Sequence, residues 1–380
     1  MDYAARQKAL QIWGKDKSQH VIPIWLDCDT VFKDAFAILL ATQCPRFNLL
    51  GVSTVHGNAS LENTTWNTQS VLEAIGCRDV PVYPGAAKPF ARYAVYAPEY
   101  HGKTGLDGTD LLPEPVKPPV TNVTAVNAMY NALINTPRDS AWLVTTGTMT
   151  NAALLFALHP NLASHIRGLS IMGGGVGNFF THAPMGRYAE RKNACGNWSP
   201  FAEFNIYCDP EAAQAVFSNT ALAEKTTFVP LDITHQVLAS PKVLELLSYG
   251  YGKEKSGERT TLRQMFHELL IFFSKTYHRE FGMNQGPPLH DPVAVTAALT
   301  PELFEDMNGE RFEIYVVPEG EPNSFERRRH FKDSGQCGRT VVKLLRESEK
   351  GIRIPRTLEI PTFWMLIDLA LAEADKKSPL

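Results

Sequence analysis

Residues 21–26 (VIPIWL) form a near-continuous apolar run that stops at Asp27-Cys28-Asp29. An apolar run without polar alternation marks a strand covered on both faces, the pattern of a parallel sheet. A second run, residues 48–55 (NLLGVSTV), leads into His56-Gly57-Asn58. Helical patterns follow at residues 34–41 and 61–75, and further strands are expected at 142–145, 169–172, 227–229 and 312–317. Helical segments at 124–134, 151–158 and 210–217 separate most of them. This alternation predicts βαβ units: an α/β fold with an open, mostly parallel central sheet and helices on both faces.

Such sheets place their ligand sites beyond the carboxyl ends of the strands, so the polar residues after each strand are the ones to weigh. Residues 97–117 and 173–199 are long for plain connections and read as functional loops. Neither a repeat nor a linker composition divides the chain. The expected organisation is an N-terminal extension, residues 1–20, and one domain over residues 21–380. Thr362 is expected to cap a C-terminal amphipathic helix that docks through Trp364, Ile367 and Leu371.

Charge narrows the function classes. The 37 basic and 40 acidic residues give a formal charge of −3, with no basic surplus to recruit nucleic acid or a membrane surface. The polar N-terminus lacks the apolar stretch of a secretory signal, and no apolar run nears the roughly 20 residues of a spanning helix. The six cysteines form no C-x-x-C pair, which argues against a zinc knuckle and fits a reducing, cytoplasmic setting.

Asp27 and Asp29, two apart at a strand end, leave the same face of the pleat. Asp34 opens the next helix, and His290-Asp291 lies far downstream. Carboxylates converging from separate elements suit a hard cation such as calcium, which takes roughly six to eight oxygens. The plainer readings are helix capping by Asp29 or Asp34 and a satisfied core histidine at 290.

The ordered motifs resemble the nucleoside hydrolases, the inosine/uridine-preferring N-ribohydrolases. Asp27-Cys28-Asp29-Thr30-Val31-Phe32-Lys33-Asp34-Ala35 stands where the family has D-x-D-P-G-x-D-D-A. VHGNASLENTT, HGKTGLDGTDLLP, VTTGTMTNAALL, IMGGG, NWSPFAEFNIYCDPEAA and HDP follow in family order. The resemblance implies the nucleoside hydrolase fold and cleavage of a nucleoside to ribose and free base, a purine or pyrimidine salvage reaction. It implies Asp29 as the base and His290 as the group serving the leaving base. Calcium would be held by Asp29, Asp34, the Thr146 carbonyl and Asp291. Asn58, His101, Met172, Asn197, Glu203 and Asn205 would contact substrate, together with position 33. The expected partners are a small-molecule nucleoside and further copies of the chain, with no nucleic acid and no membrane.

One loop departs from the pattern. Thr30-Val31 replace Pro-Gly, and Lys33 replaces a carboxylate that in the family contacts the ribose 2′-hydroxyl. A β-branched residue is strained at positive φ, so the loop is expected to follow another path. Lys33 either turns to solvent and leaves the calcium site intact, or enters the acidic nest as a tethered cation in place of calcium. The second placement opens two alternatives: a metal-free enzyme on another small molecule, or a non-catalytic nucleoside or sugar binder.

Overall fold

The computed structural model describes residues 2–14, 21–185, 194–253, 257–318 and 335–380. Six parallel strands form the central sheet: β1 (Ile22–Cys28), β2 (Phe47–Thr54), β3 (Val82–Pro84), β4 (Trp142–Thr145), β5 (Gly168–Met172) and β6 (Thr226–Val229). Their order is β3-β2-β1-β4-β5-β6, so the direction of winding reverses between β1 and β4. The short edge strand β3 escapes the apolar-run criterion because only Val82 of its three residues is buried.

Both faces of the sheet are covered, which explains the apolar runs. Ile24, Leu26 and Cys28 of β1 enter one core, while Trp25 enters the other. The first core holds the helices Phe32–Gln43, Asp291–Leu299 and Ile360–Ala374; the second holds Ala125–Ile134, Thr150–Leu158 and Pro210–Phe217. Eleven of the twelve residues of Phe32–Gln43 are buried, among them Lys33 and Asp34. A helix buried on all sides carries a charge inward only with partners.

Three elements differ from the sequence expectation. The strand expected at 312–317 is β8 (Phe312–Val316), which lies outside the central sheet and pairs antiparallel with β9 (Thr340–Leu344). Its burial alternates strictly, the pattern of a strand covered on one face. A further small pair joins β7 (Phe304–Glu305) to β10 (Thr357–Leu358). The C-terminal helix begins at Ile360 rather than after Thr362, with Glu359 at the cap position. Pro361 is tolerated in a first turn, and Thr362 Oγ1 donates to Glu359 Oε1 at 2.5 Å. The third is the 21-residue helix Thr261–Phe281, capped by Thr260 and closed by Gly282 at φ 66°, which the sequence reading passed over.

Within the expected extension, Tyr3–Trp13 is a helix with Asp2 as its cap. It docks on the C-terminal helix through buried Ala5, Ala9, Ile12 and Trp13. Asp368 of that helix accepts from Arg6 Nη1 at 3.1 Å and from Arg263 Nη1 at 3.2 Å, tying three helices together. Removing one partner of a buried ion pair strands the others in a poor solvent. Asp368→Ala is therefore expected to lower unfolding free energy by about 3–5 kcal/mol in chemical denaturation. A loss below about 1 kcal/mol would show that the arginines find water instead.

Candidate active site

The carboxyl ends of β1 and β4 flank the point where strand order reverses, the position at which open α/β sheets form ligand crevices. Asp29 follows β1 there, and Thr146 follows β4. Asp27 Oδ1, one step inside, accepts from Ser53 Oγ at 2.5 Å and Asn151 Nδ2 at 2.8 Å. Its other oxygen has no donor, and burial pushes the carboxyl up to about 7.

Asp29 Oδ2 accepts from both the backbone amide and the side-chain amide of Asn58, each at 2.7 Å. The loop reaches it because residue 57 is glycine: a Cβ there would stand 2.1 Å from Asp29 Oδ2. Asp29 Oδ1 is buried without a donor. Asp34 serves two roles at once. Its Oδ2 accepts from Val31 N at 3.0 Å and secures the first turn of Phe32–Gln43, while its Oδ1 accepts from Thr146 Oγ1 at 2.6 Å. The Thr146 carbonyl in turn accepts from Asn205 Nδ2 at 2.8 Å, which leaves Asn205 Oδ1 without a donor.

The altered loop is well packed. Val31 sits at φ −124°, an extended conformation that suits a β-branched residue, and is fully buried. Thr30 Oγ1 lies 2.6 Å from Thr68 Oγ1, and the Thr30 carbonyl accepts from Asn67 Nδ2 at 2.9 Å. Lys33 does not turn to solvent. Its side chain is 8% exposed, and its Nζ lies 3.9 Å from Asp291 Oδ1. Burial works against its charge, but Asp291, Asp29 and Asp34 hold it above the ordinary lysine value.

One ammonium does not settle this nest. Both oxygens of Asp291 are buried with no hydrogen-bond donor. Burial, then the charge of Asp34, pushes Asp291 and Asp29 well above the usual carboxylate range, and Lys33 pulls each only part of the way back. Buried carboxylates in such surplus take up protons or a cation.

Beside the nest opens a narrow cleft, lined by Lys33, Asn58, His101, Asn197 and Glu203 with the aromatic rings of Tyr100, Trp198, Phe204, Phe273, Tyr277 and Phe281. Glu203 caps the helix Phe204–Cys208 and accepts from Gly174 N at 2.9 Å. Asn197 Oδ1 accepts from Phe204 N at 3.1 Å. His101 stacks on Phe273 at 5.4 Å and is held neutral by burial. Met172, at the end of β5, packs its sulfur 3.8 Å from Asn205 Nδ2. The five polar lining residues come from segments spread over residues 33–203, all singled out from sequence.

His290 stands one layer back. Its Nε2 lies 3.0 Å from the hydroxyl of Tyr277 and its Nδ1 lies 2.7 Å from Thr234 Oγ1, so Tyr277 faces the cleft in its place. Burial, then Lys33, lowers the His290 pKa well below the ordinary value. Sequence reasoning missed Tyr277. The available signal was the spacing of Phe273, Tyr277 and Phe281, which places three aromatic rings on one face of a helix.

A sequence model described as inosine-uridine preferring nucleoside hydrolase matches residues 24–365. The chain belongs to that family. It is 36% identical over 369 residues to the uridine nucleosidase of Saccharomyces cerevisiae, covering 94% of this chain and 98% of that one. It is 39% identical over 284 residues to the pyrimidine-specific ribonucleoside hydrolase RihA of Shewanella woodyi, covering 74% and 80%. A purine-preferring ribonucleoside hydrolase from Gardnerella vaginalis shares the fold, with TM-score 0.74 and 23% identity over 93% of this chain and 99% of that one. All twelve residues singled out from sequence lie within the family match.

The raised Asp27 pKa has a signed consequence. Between the unfolded value near 3.8 and about 7, the folded state binds the extra proton, so this group's contribution falls as pH rises. Buried His56 and His235, both lowered to about 4, titrate in the opposite sense. The isolating comparison is therefore wild type against Asp27→Asn in metal-free buffer. Relative to the variant, wild type is expected to lose stability between pH 4 and pH 7 in thermal melts. Parallel curves would show that Asp27 is already ionised at the low end.

Proposed function

We propose that this chain hydrolyses the N-glycosidic bond of a ribonucleoside to ribose and free base. The observation that carries it is the cleft: Lys33, Asn58, His101, Asn197 and Glu203 converge on one space, and Asn58 holds Asp29 beside it. Aromatic rings offer a stacking wall for a base, and the polar end suits a sugar.

The residues present fit a calcium ion. Asp29 Oδ1, both Asp291 oxygens and Asn205 Oδ1 are buried acceptors without donors, an all-oxygen set of the kind a hard cation takes. Among the described residues no three His, Cys, Asp or Glu side chains stand close enough to form a metal cluster alone. Calcium would therefore need more than carboxylates: Asp29 and Asp291 offer open oxygens, Asp34 already accepts from Val31 N and Thr146 Oγ1, and the Thr146 carbonyl, water and substrate oxygens would supply the rest. A bound calcium supplies positive charge that acidifies water and orients a sugar diol.

The protein's own groups account for the rest. Asp29, held by two Asn58 donors through Oδ2, keeps Oδ1 free to take a proton from attacking water. Asn197, Glu203 and Asn205 fix the sugar, so that the water and the anomeric carbon meet in one orientation. In the tautomer where Thr234 Oγ1 donates to His290 Nδ1 and His290 Nε2–H donates to the Tyr277 oxygen, the Tyr277 hydroxyl, which also bonds Asn197, would turn to donate to the departing base. Such a chain polarises its terminal donor. Burial keeps Tyr277 protonated for this task.

The inward Lys33 favours a second reading, in which its ammonium takes the place of calcium and the chain acts on another small molecule or only binds a nucleoside. Ribose release from uridine and inosine, with calcium and with chelator, separates the two. The hydrolase reading expects calcium-dependent release that falls by roughly 10²–10⁴-fold in Asp29→Asn. Release untouched by chelator would favour Lys33 as the cation, and no release from any ribonucleoside would reject hydrolysis.

A further inference from the structure

The loop that presents His101 to the cleft is tied to itself. The Asp107 carboxylate accepts from Lys103 N at 3.1 Å, Thr104 N at 3.2 Å and Thr104 Oγ1 at 2.5 Å, and Asp107 N donates to the His101 carbonyl at 3.4 Å. A turn closed by its own carboxylate moves as one piece, so its outer fastenings decide where the His101 ring stands. The helix Leu61–Ala74 supplies several of them from one face. Asn63 Nδ2 donates to the Lys103 carbonyl at 3.1 Å and Asn67 Nδ2 to the Thr104 carbonyl at 2.9 Å. Further along, Ser70 Oγ donates to the Pro113 carbonyl at 2.7 Å.

Asn67 stands apart among these donors. The Asn63 bond is exposed to water, whereas Asn67 is buried. Its amide also donates to the Thr30 carbonyl at 2.9 Å, so one side chain joins the His101 turn to the divergent loop that leads into Lys33. The two loops meet over it: a Cβ at Gly105 would stand 3.1 Å from Asn67 Nδ2 and 3.3 Å from Val31 Cγ1. The amide uses both of its hydrogens there, and its oxygen is buried without a donor. A stranded acceptor costs stability that an apolar residue of similar size would not, so the two donors are what the position requires.

We propose that Asn67 is a positioning residue for the cleft, whose two amide hydrogens hold the His101 turn in register with the Lys33 loop and set the imidazole against Phe273. Asn67 does not itself line the cleft, so it acts through His101, which does. The consequence for substrate rests on the nucleoside reading; the placing of His101 does not.

The test labels the 11 histidines with carbon-13 and follows the ring protons of His101 by NMR, identified by their loss in His101→Gln. Stacked at 5.4 Å on Phe273 and at 6.1 Å on Phe32, that ring carries a ring-current shift in the free protein. Asn67→Ala is expected to remove most of this shift and to raise KM for uridine by roughly 5–100-fold. The effect on kcat is expected to stay within about threefold, because a displaced binding group weakens ground and transition states alike. Asn67→Asp keeps the shape, loses both donors and is expected to act in the same way. Ser70→Ala removes a bond of the same kind from the same helix face. It is expected to leave the His101 signal in place and KM within about twofold, which a general loosening of the helix would not. Should Asn67→Ala fail to fold, Asn67→Ser is too short to reach both carbonyls and is expected to move the same signal. A His101 signal unmoved in a folded Asn67 variant overturns the proposal, as does an equal response in Ser70→Ala or an unchanged KM. A moved signal without turnover of any ribonucleoside would leave the Asn67 assignment standing while hydrolysis fails. Turnover with an unmoved signal would do the reverse.

Discussion

The structure turns on a nest of buried carboxylates with a single buried ammonium among them. Moving an ionised carboxylate out of water costs several kcal/mol even after relaxation, and here Asp29, Asp34 and Asp291 are fully buried within reach of one another. The surroundings explain how that is tolerated. Asn58 covers one side of Asp29, and Val31 N and Thr146 Oγ1 satisfy Asp34. What they leave open is as informative as what they close. Among the described residues, five of the eight buried side-chain oxygens without a donor belong to Asp27, Asp29, Asn205 and Asp291; Asn67, Thr145 and Thr300 hold the other three.

The parallel sheet provides the location. Because β1 and β4 are neighbours in the sheet, Asp27 and Thr146 meet directly, and Thr146 N donates to the Asp27 carbonyl at 2.8 Å. The helix Asp291–Leu299 packs on the same sheet, against β4 and β5, and delivers Asp291 from its first turn. Residues far apart in sequence thus converge at the ends of neighbouring strands, as the rule for open α/β sheets requires. Gly57 completes the convergence, since no side chain fits between its loop and Asp29.

Much of this was legible in the residues. Strands buried on both faces announce themselves as apolar runs, so β1, β2, β4, β5 and β6 were recoverable almost to the residue. Three-residue β3 was not, because it is too short to carry a pattern. The helix Thr261–Phe281 mixes charged and aromatic residues and has a buried arginine, so its period is obscured although its caps are plain. Within the site, the polar motif residues were found and the aromatic wall was not, because a core aromatic and a cleft aromatic look alike in sequence. The position of Lys33 was undecidable from sequence, since a lysine beside acids pairs inward or snorkels outward according to local packing. The Thr30-Val31 loop packs against Thr68 and Asn67, so the divergent segment is a settled alternative rather than a damaged one.

Lys33 leaves the nest short of positive charge, a deficit that a divalent cation would make up. Calorimetric titration of calcium into metal-free protein, repeated in buffers of different ionisation enthalpy, measures both binding and proton exchange. The expected result is one calcium per chain, with protons released from carboxyls whose pKa burial has raised. Calcium uptake absent at millimolar concentration, with Lys33→Met also failing to create it, would show that no divalent cation serves this nest.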